Sequence, residues 1–483
     1  MKLRLIAPIA AVLLTGSAAL AEGTVSLDSC RNMALRTSKA LLAADEAVRG
    51  AGYARKAAAS KYLPAIDASA TYIYHQHKTS LLKEDAKVPT MYFNPLTQKY
   101  EYDFVVGPDG LPVTDPASGL PVPALIATIP KEALTFDTRS IFAGAVTLTQ
   151  PIYMGGEIKA LNDIAKYSEQ ALEAGRESAS QDVVFEVDQN YWLVVSLVAK
   201  QKLAQSFVNL IDTLHYNVNA MLEEGVATRA DLLTIDVQRN EARIMLNKVE
   251  NGLSLSRMAL AQACGLPVDT QLRLEDEQDT LMPAVPAGYD SDDMSEVYGR
   301  RKDLEVVRKG INMLEGQEKL ALGTMLPKIA LVGAYNFSTP NVIDGFSRHL
   351  KGGFSIGAGI TIPIWHWGGD YNTYKAAKSA TNAQRILLQD LEDKVTLQVR
   401  QARFKYAEAF RTYNMARENM RSAEENLRCA REGFKEGVLT ANDVVLAQTG
   451  WLQAHSEKID AEIGVRLCDV YLSKVLGNLS TSR

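Results

Sequence analysis

Residues 150–157 read QPIYMGGE, and residues 224–231, at the far end of a long helical pattern, read EGVATRAD. Both stretches return later in the chain, as IPIWHWGGD at residues 362–370 and EGVLTAND at residues 436–443. The residues common to 224–231 and 436–443 all lie at one constant offset along the chain. Pro151 recurs as Pro363 at that same offset. A unit repeated at this scale predicts a fold built from two similar halves.

The composition is that of a folded protein. The chain has 483 residues, of which 47% are hydrophobic and 7% aromatic, and its formal net charge is -5. This length allows roughly three ordinary domains, but the duplication favours a single body made of two repeats. An acidic balance gives no electrostatic footprint for nucleic acid, so that class of partner is not expected.

Residues 1–21 predict a secretory signal peptide. Lys2 and Arg4 precede an apolar run from Leu5 to Leu14, and small residues lead to a cleavage site that ends at Ala21. The run is too short to span a bilayer as a helix. No later segment reaches the roughly 18 uninterrupted apolar residues of a membrane helix.

Four cysteines remain after cleavage of the leader: Cys30, Cys264, Cys429 and Cys468. Export permits disulfides, four cysteines allow three pairings, and the spacings match no metal-binding motif. Buried free thiols are the plainer interpretation, and the pairing stays open. Cys30 lies too far beyond the apolar run for a lipoprotein cleavage box.

Four stretches alternate apolar and polar residues with a period of two, near residues 63–75, 141–153, 327–338 and 353–364. Each has about 10 residues, which suits a tilted membrane strand with an apolar outer face and a polar inner face. Aromatic residues near the strand ends fit interfacial girdles: Tyr72, Tyr74, Tyr335 and Phe337 at one end, and Tyr153, Trp365 and Trp367 at the other. Strands of a soluble sandwich are the alternative. A long proline-rich loop joins the first two strands, and a shorter connection joins the other two.

The rest of the chain predicts helices. A proline-free pattern over residues 157–222 corresponds to about 100 Å at 1.5 Å per residue, and residues 370–434 form its counterpart. Shorter patterns cover residues 229–264 and 441–476, and others lie near residues 29–60 and 293–324. Apolar residues recur at threes and fours, as in a coiled-coil seam.

These patterns divide the chain into a leader, two repeats, a linker and a tail. The predicted boundaries are 1–21 for the signal peptide, 22–264 for the first repeat (strand hairpin 63–153, long helix hairpin 157–264), 265–292 for an acidic equatorial linker, 293–476 for the second repeat (strand hairpin 327–364, long helix hairpin 370–476) and 477–483 for the tail.

Four strands cannot close a membrane barrel, because the smallest known barrels have about eight. Strands from several copies must therefore close one barrel, since open edges in lipid leave backbone groups unpaired. Two repeats that each hold a strand hairpin, a Pro- and Gly-Gly-containing turn, a long helix and an E-G-V-x-T-x-x-D tip resemble the TolC family of outer-membrane efflux proteins. The resemblance covers essentially the whole mature chain.

This resemblance implies a mainly α fold with a membrane β-barrel part. It implies a homotrimer in the bacterial outer membrane, in which three copies of four strands form one barrel above a periplasmic α-helical barrel. The implied function is the passive exit duct of a tripartite efflux pump or a type I secretion system. An inner-membrane transporter supplies the energy, and a periplasmic adaptor (membrane fusion) protein docks at the helical tips.

The tip stretches contain the candidate site residues. Glycine suits the point where one helix stops and the next begins, and Thr228 and Thr440 are expected to cap the returning helices. The residues expected to face an adaptor are Gly225, Val226, Thr228, Gly437, Val438, Leu439 and Thr440. The resemblance suggests that Asp443, with Asp231 as its counterpart, helps form a periplasmic aperture, although Leu446 stands where the family often has a second acid.

No stretch of the sequence predicts catalysis, a cofactor or a metal site. The Gly-Gly turns lack the lysine and Ser/Thr of a nucleotide-binding loop, and His75 and His77 have no third ligand at a fitting spacing. The alternative function is a soluble periplasmic coiled-coil scaffold or adaptor.

Overall fold

The structure, a computed structural model, describes residues 24–277, 293–341 and 348–479. These residues form two compact units. The helical unit holds the described residues up to 58, from 159 to 320 and from 372 onward, and the sheet unit holds residues 59–158 and 321–371. The predicted signal peptide, residues 278–292 of the predicted linker and the last four residues lie outside the described residues.

Long paired helices dominate the described chain. The helices are α1 (Leu27–Thr37), α2 (Lys39–Ser60), α3 (Glu157–Glu223), α4 (Arg229–Ala263), α5 (Met294–Arg300), α6 (Lys302–Gly323), α7 (Gly369–Lys435) and α8 (Ala441–Val475). The repeat is visible in their lengths, because α3 and α7 have 67 residues each and α4 and α8 have 35 each. None of the helices in the described ranges combines the length and the apolar character needed to cross a membrane.

The sequence indicated one continuous helix near residues 29–60 and another near residues 293–324, but each of these helices is broken in the structure. The breaks fall at Ser38 (φ -56°, ψ 119°), whose backbone is not helical, and at Arg301 (φ -71°, ψ 114°), whose backbone is extended. Tertiary contacts stabilise these breaks: the Thr37 hydroxyl donates to the Cys264 carbonyl (2.9 Å), and the Arg301 guanidinium donates to the Val475 carbonyl (3.0 Å). Because neither break contains Gly or Pro, the sequence carries no local signal for it.

The helices of the helical unit share apolar cores. One core packs α1 against α3 and the end of α4, and its buried members include Cys30, Val187, Tyr191, Leu260 and Cys264. Beside it, the carboxylate of Asp188 is fully buried and accepts hydrogen bonds from the Arg31 Nε (2.7 Å) and Nη2 (2.6 Å). Burial raises the pKa of Asp188, and the opposing effect of Arg31 does not cancel that rise. This ion pair anchors α1 onto α3.

The sheet unit contains one four-stranded antiparallel sheet and three short ribbons. Its strands are β1 (Ala65–Tyr74), β2 (Thr79–Ser80), β3 (Ala86–Pro89), β4 (Met91–Asn94), β5 (Lys99–Tyr102), β6 (Ile126–Ile129), β7 (Thr135–Phe136), β8 (Ser140–Met154), β9 (Lys328–Thr339) and β10 (Lys351–Thr361). The sheet has the order β1-β8-β9-β10, so β1 and β10 form its two edges. The four strands lie where the alternating patterns predict them.

The register gives the sheet two chemically different faces. One row across all four strands contains Ala68, Val146, Tyr335 and Phe354. The neighbouring row on the opposite face contains Asp67, Thr147, Ala334 and Ser355. Because side chains alternate along a strand, most rows continue this separation of apolar from polar and small residues. The exceptions are Val332 opposite Thr149 and the pair Ile73 and Ile141 on the polar face, and Gln150 opposite Leu331 on the apolar face.

A large aromatic residue packs over glycine on the apolar face. Phe337 pairs with Gly144 across β8 and β9, and a Cβ atom at Gly144 would lie 2.4 Å from the Phe337 Cζ. The ring therefore fills the space that a side chain at position 144 would need.

The long connection between β1 and β8 is more regular than the sequence indicated. The ribbons β2–β7, β3–β6 and β4–β5 lie within it, and each ribbon is nested in the sequence between the two strands of the one before it. Each strand has only two to four residues, too few to show a clear alternation. Because no alternation was visible, the proline residues of this segment indicated a loop.

Candidate functional site

The two helix tips, residues 224–231 and 436–443, have the same backbone geometry. At the end of α3 the Val226 N–H donates to the Met221 carbonyl (2.8 Å), and the Gly225 N–H donates to the Leu222 carbonyl (3.0 Å). At the end of α7 the Val438 N–H donates to the Gly433 carbonyl (2.8 Å). The Gly437 N–H donates to the carbonyl three residues before it, as the Gly225 N–H does. This pattern is the Schellman motif, which ends a helix on a left-handed residue.

Glycine is required at the centre of both turns. Gly225 has φ of +76° and Gly437 has φ of +72°. No atom would lie within 4 Å of a Cβ added at either position. The requirement is therefore one of backbone conformation and not of space, because left-handed backbone is unfavourable for residues with a Cβ.

A complete capping box starts each returning helix. The Asp231 N–H donates to the Thr228 Oγ1 (3.2 Å), and the Asp231 Oδ2 accepts from the Thr228 N–H (2.9 Å). Thr440 and Asp443 repeat these contacts at 3.3 and 2.8 Å. Two backbone donors that a helix start leaves unpaired are thus satisfied at each tip.

These hydrogen bonds keep both tip carboxylates ionised. The pKa of Asp231 is lowered, first by the hydrogen bond from the Thr228 side chain and then by that from its backbone. The pKa of Asp443 is lowered by the same two contacts from Thr440. Both bonds from Thr440 reach Oδ2 of Asp443. Each tip therefore presents a negative charge whose position is fixed by the cap.

Apolar side chains project from both turns. Val226 is 71% exposed and Val438 is 78% exposed. Leu439 is less exposed because its side chain lies over Gly433, where an added Cβ would be 2.9 Å from Leu439 Cδ1. The turns themselves make no use of these valine side chains, so they are available for contact with another molecule.

A shared core holds the two tips at the same end of the helical unit. Its buried members come from both helix hairpins and include Leu214, Val218, Ile235, Val444 and Val445. Ala227 of the first tip and Ala441, which follows Thr440 of the second, pack against this core. The core brings the predicted tip residues into one region, while Asp231 and Asp443 each bind within their own turn.

Sequence reasoning did not predict that three apolar residues beside the tips are exposed, although it named Leu446 for the acid that it replaces. Leu233 and Val237 on α4 and Leu446 on α8 are each more than half exposed. Their spacing matches the general apolar pattern of the helices, so they were indistinguishable from seam residues. The signal that sets them apart is their exposure, which only the packing reveals.

The sequence matches the family model described as "Outer membrane efflux protein" over residues 122–266 and 294–478, which is more than half of the chain. A curated relative, the outer membrane efflux protein BepC of Brucella suis biovar 1 (strain 1330), is 22% identical over 355 residues. That alignment covers 72% of this chain and 74% of BepC.

Solved structures share the fold. The outer-membrane channel OprN superposes with a TM-score of 0.72 at 14% identity, covering 94% of this chain and 90% of OprN. The open state of the Neisseria gonorrhoeae MtrE outer membrane channel gives 0.70 at 17% identity, with the same coverage of 94% and 90%. The Campylobacter jejuni CmeC outer membrane channel gives 0.68 at 16% identity, covering 94% of this chain and 86% of CmeC.

The predicted fold class is confirmed by these superpositions and by the paired long helices and four-stranded sheet. The family resemblance inferred from the repeated tip is confirmed by the family model. The chain belongs to the outer membrane efflux protein family.

Proposed function

We propose that the chain forms the outer-membrane exit duct of a tripartite efflux pump or a type I secretion system. Small molecules or polypeptides pass through it passively, and an inner-membrane transporter supplies the energy. The observation that supports this most is the two-faced sheet with open edges. The fold and the family agree with a channel in the outer membrane that has a periplasmic extension.

The apolar face of the sheet fits hydrocarbon and not water. Phe354 and Ile356 are 73% and 75% exposed, and Ile66 on the opposite edge strand is 69% exposed. Burying one such side chain is worth about 1.5–3 kcal/mol. Contact with lipid removes the cost of exposing these side chains to water. The opposite face, with Asp67, Thr147 and Ser355, suits a water-filled interior.

The open edges lead to an oligomer, and the family resemblance sets its number of copies at three. The outer backbone groups of β1 and β10 have no strand partner within the described chain, and each unpaired group in lipid costs several kcal/mol. Pairing β1 of one copy with β10 of the next removes both edges, and three copies give a closed barrel of twelve strands.

The long helices offer a second contact between copies. Large apolar residues on α7 recur at intervals of seven and eleven residues along one face and are each more than half exposed: Ile386, Leu397, Phe404 and Met415. Such spacing is typical of a helix that packs laterally against another. A neighbouring copy is the partner that would bury this face.

The tips are the proposed adaptor-docking surface. Val226, Val438 and Leu439 provide apolar contacts held by rigid turns, and Gly225, Thr228, Gly437 and Thr440 maintain the shape of those turns. A periplasmic adaptor is the partner expected there. The soluble scaffold or adaptor alternative is not favoured, because it does not explain the exposed apolar sheet face or the family match.

Asp443 is the proposed aperture residue, with Asp231 as its counterpart. In a trimer each would be present three times, and a ring of carboxylates favours cations. Asp443→Asn keeps an oxygen that accepts the cap hydrogen bonds but removes the charge, so cation selectivity in a lipid bilayer should fall. Asp390→Asn, which removes an exposed carboxylate of α7 outside the tips, is the matched control. Equal selectivity for wild type and Asp443→Asn would contradict the aperture.

Reconstitution tests the duct itself. Purified protein inserted into a planar lipid bilayer should give ion conductance, and a strain that lacks the protein should accumulate exported compounds until the gene is restored. A scaffold would release from membranes in high salt and give no conductance. That outcome would overturn the proposed function.

A further inference from the structure

Cys30 on α1 and Cys264 at the end of α4 meet in the core although 234 positions separate them. Both side chains are fully buried, and both belong to the core that packs α1 against α3 and α4. The Cys264 Sγ lies 3.8 Å from the Cys30 carbonyl oxygen. The two residues are thiols in the structure.

This contact and the shared core place the two side chains beside each other. Their interaction is the main cause that raises the pKa of Cys30 and lowers that of Cys264. A disulfide requires neighbouring Cβ atoms and sulfurs that can approach to bonding distance.

We infer that Cys30 and Cys264 form an intramolecular disulfide in the mature protein. The inference rests on the proposed function in one respect, namely that the helical unit lies in the periplasm, where disulfides form and persist. The bond would join the first helix to the point where the chain leaves the first repeat.

Oxidation of the two thiols to a disulfide needs an oxidant. A periplasmic dithiol oxidase that carries a reactive disulfide is the chemical class that supplies it. The Cys264 thiolate attacks that disulfide and forms a mixed disulfide, which releases one thiol of the oxidase. The Cys30 thiolate then attacks the Cys264 sulfur and releases the second. Two S–H bonds are lost from this chain, one S–S bond forms, and the oxidase is reduced to its dithiol. Because both cysteines are buried after folding, the exchange takes place before this core closes.

Other contacts show what the bond would fasten. The Val25 N–H donates to the Arg273 carbonyl (2.8 Å), and the Glu275 N–H donates to the Val25 carbonyl (3.1 Å). The segment before α1 thus pairs with the segment after α4. A covalent link at Cys30 and Cys264 would hold these two segments together when α1 loosens.

The remaining two cysteines serve as internal controls. Cys429 is exposed on α7, where its nearest polar partner is Glu425 Oε1 at 3.7 Å, and Cys468 is partly buried on α8. Neither has a contact with another cysteine in the described part of the chain. Both should remain free thiols in the folded protein.

Peptide mapping without reductant tests the inference. The outer-membrane fraction is treated with an alkylating agent under denaturing conditions and digested with trypsin. We expect the peptide Met258–Arg273 to be linked to the peptide that ends at Arg31, with Cys429 and Cys468 alkylated. Alkylated Cys30 and Cys264, or a link to any other cysteine, would overturn the proposal.

Variants separate a real bond from a merely close pair. Cys429→Ser with Cys468→Ser should retain the linked peptide, and Cys30→Ser should leave Cys264 alkylated. Reduction should lower the melting temperature of wild type but not of the Cys30→Ser/Cys264→Ser variant, and equal melting of reduced and oxidised wild type would count against a bond. Protein found in the outer membrane with both thiols free refutes only the disulfide, whereas protein absent from that membrane refutes the proposed function.

Discussion

Replacing the two tip glycines should abolish export without preventing membrane insertion. At Gly225 and Gly437 the backbone has φ of +76° and +72°, so a valine must adopt a left-handed conformation. That conformation costs an L-residue about 1–2 kcal/mol, and the two turns of one chain together lose about 2–4 kcal/mol on the same scale. Steric clash adds nothing, since the space beside both glycines is open.

The strain is local, so its consequences should be local. Gly225→Val/Gly437→Val should loosen the Schellman bonds, which hydrogen exchange at the Val226 and Val438 amides would report as faster exchange. Trimers should still reach the outer membrane, because the sheet unit is unchanged. Export in a deletion strain should fall to the level of the empty vector.

Two matched variants isolate the backbone cause. Gly225→Asn/Gly437→Asn should keep most activity, because asparagine tolerates the left-handed region. Gly450→Val adds the same side chain in open space within α8, where no positive φ is required, and should be silent. Normal export by the double valine variant, or equal defects in the valine and asparagine variants, would refute the reasoning.

Three further outcomes follow from the structure. Because the lowered pKa of Asp443 means that its carboxylate stabilises the folded tip above the unfolded pKa, acid below about pH 4 should lower the protection factors of the tip amides, corrected for the intrinsic effect of pH on exchange, in wild type but not in Asp443→Asn. Gly144→Leu should block barrel assembly, seen as loss of the heat-resistant trimer on gels, because its Cβ would lie 2.4 Å from the Phe337 ring. Asp188→Ala should lower the free energy of unfolding by about 3 kcal/mol, since it removes the buried partner of Arg31 and leaves that guanidinium only its exposed partner Asp28, whereas Asp390→Ala in an exposed pair should change it by less than about 1 kcal/mol.

The long helices and the tips were predictable because their signals are local. Glycine followed by Thr-x-x-Asp marks a helix stop and a new start within eight residues, and the same string occurs twice. The four strands were predictable for a similar reason, since alternation of polar and apolar residues reports a two-faced sheet. Each of these features is encoded where it occurs.

Features that depend on distant contacts were not predictable. The breaks at Ser38 and Arg301 contain no helix-breaking residue and are stabilised by groups from α4 and α8. The contact between Cys30 and Cys264 joins residues 234 positions apart, so spacing alone left their pairing open. An aperture at Asp443 would require three copies, and a single chain contains only one of its carboxylates.

The mass of the detergent-solubilised particle tests the central claim most directly. Native mass spectrometry should give three copies of the mature chain, the number that the family resemblance implies, because strands from neighbouring copies pair the edges of β1 and β10. The particle should lose solubility when the detergent is removed, since the apolar face of the sheet needs lipid or a substitute for it. A stable monomer that stays dissolved in water without detergent would contradict the account.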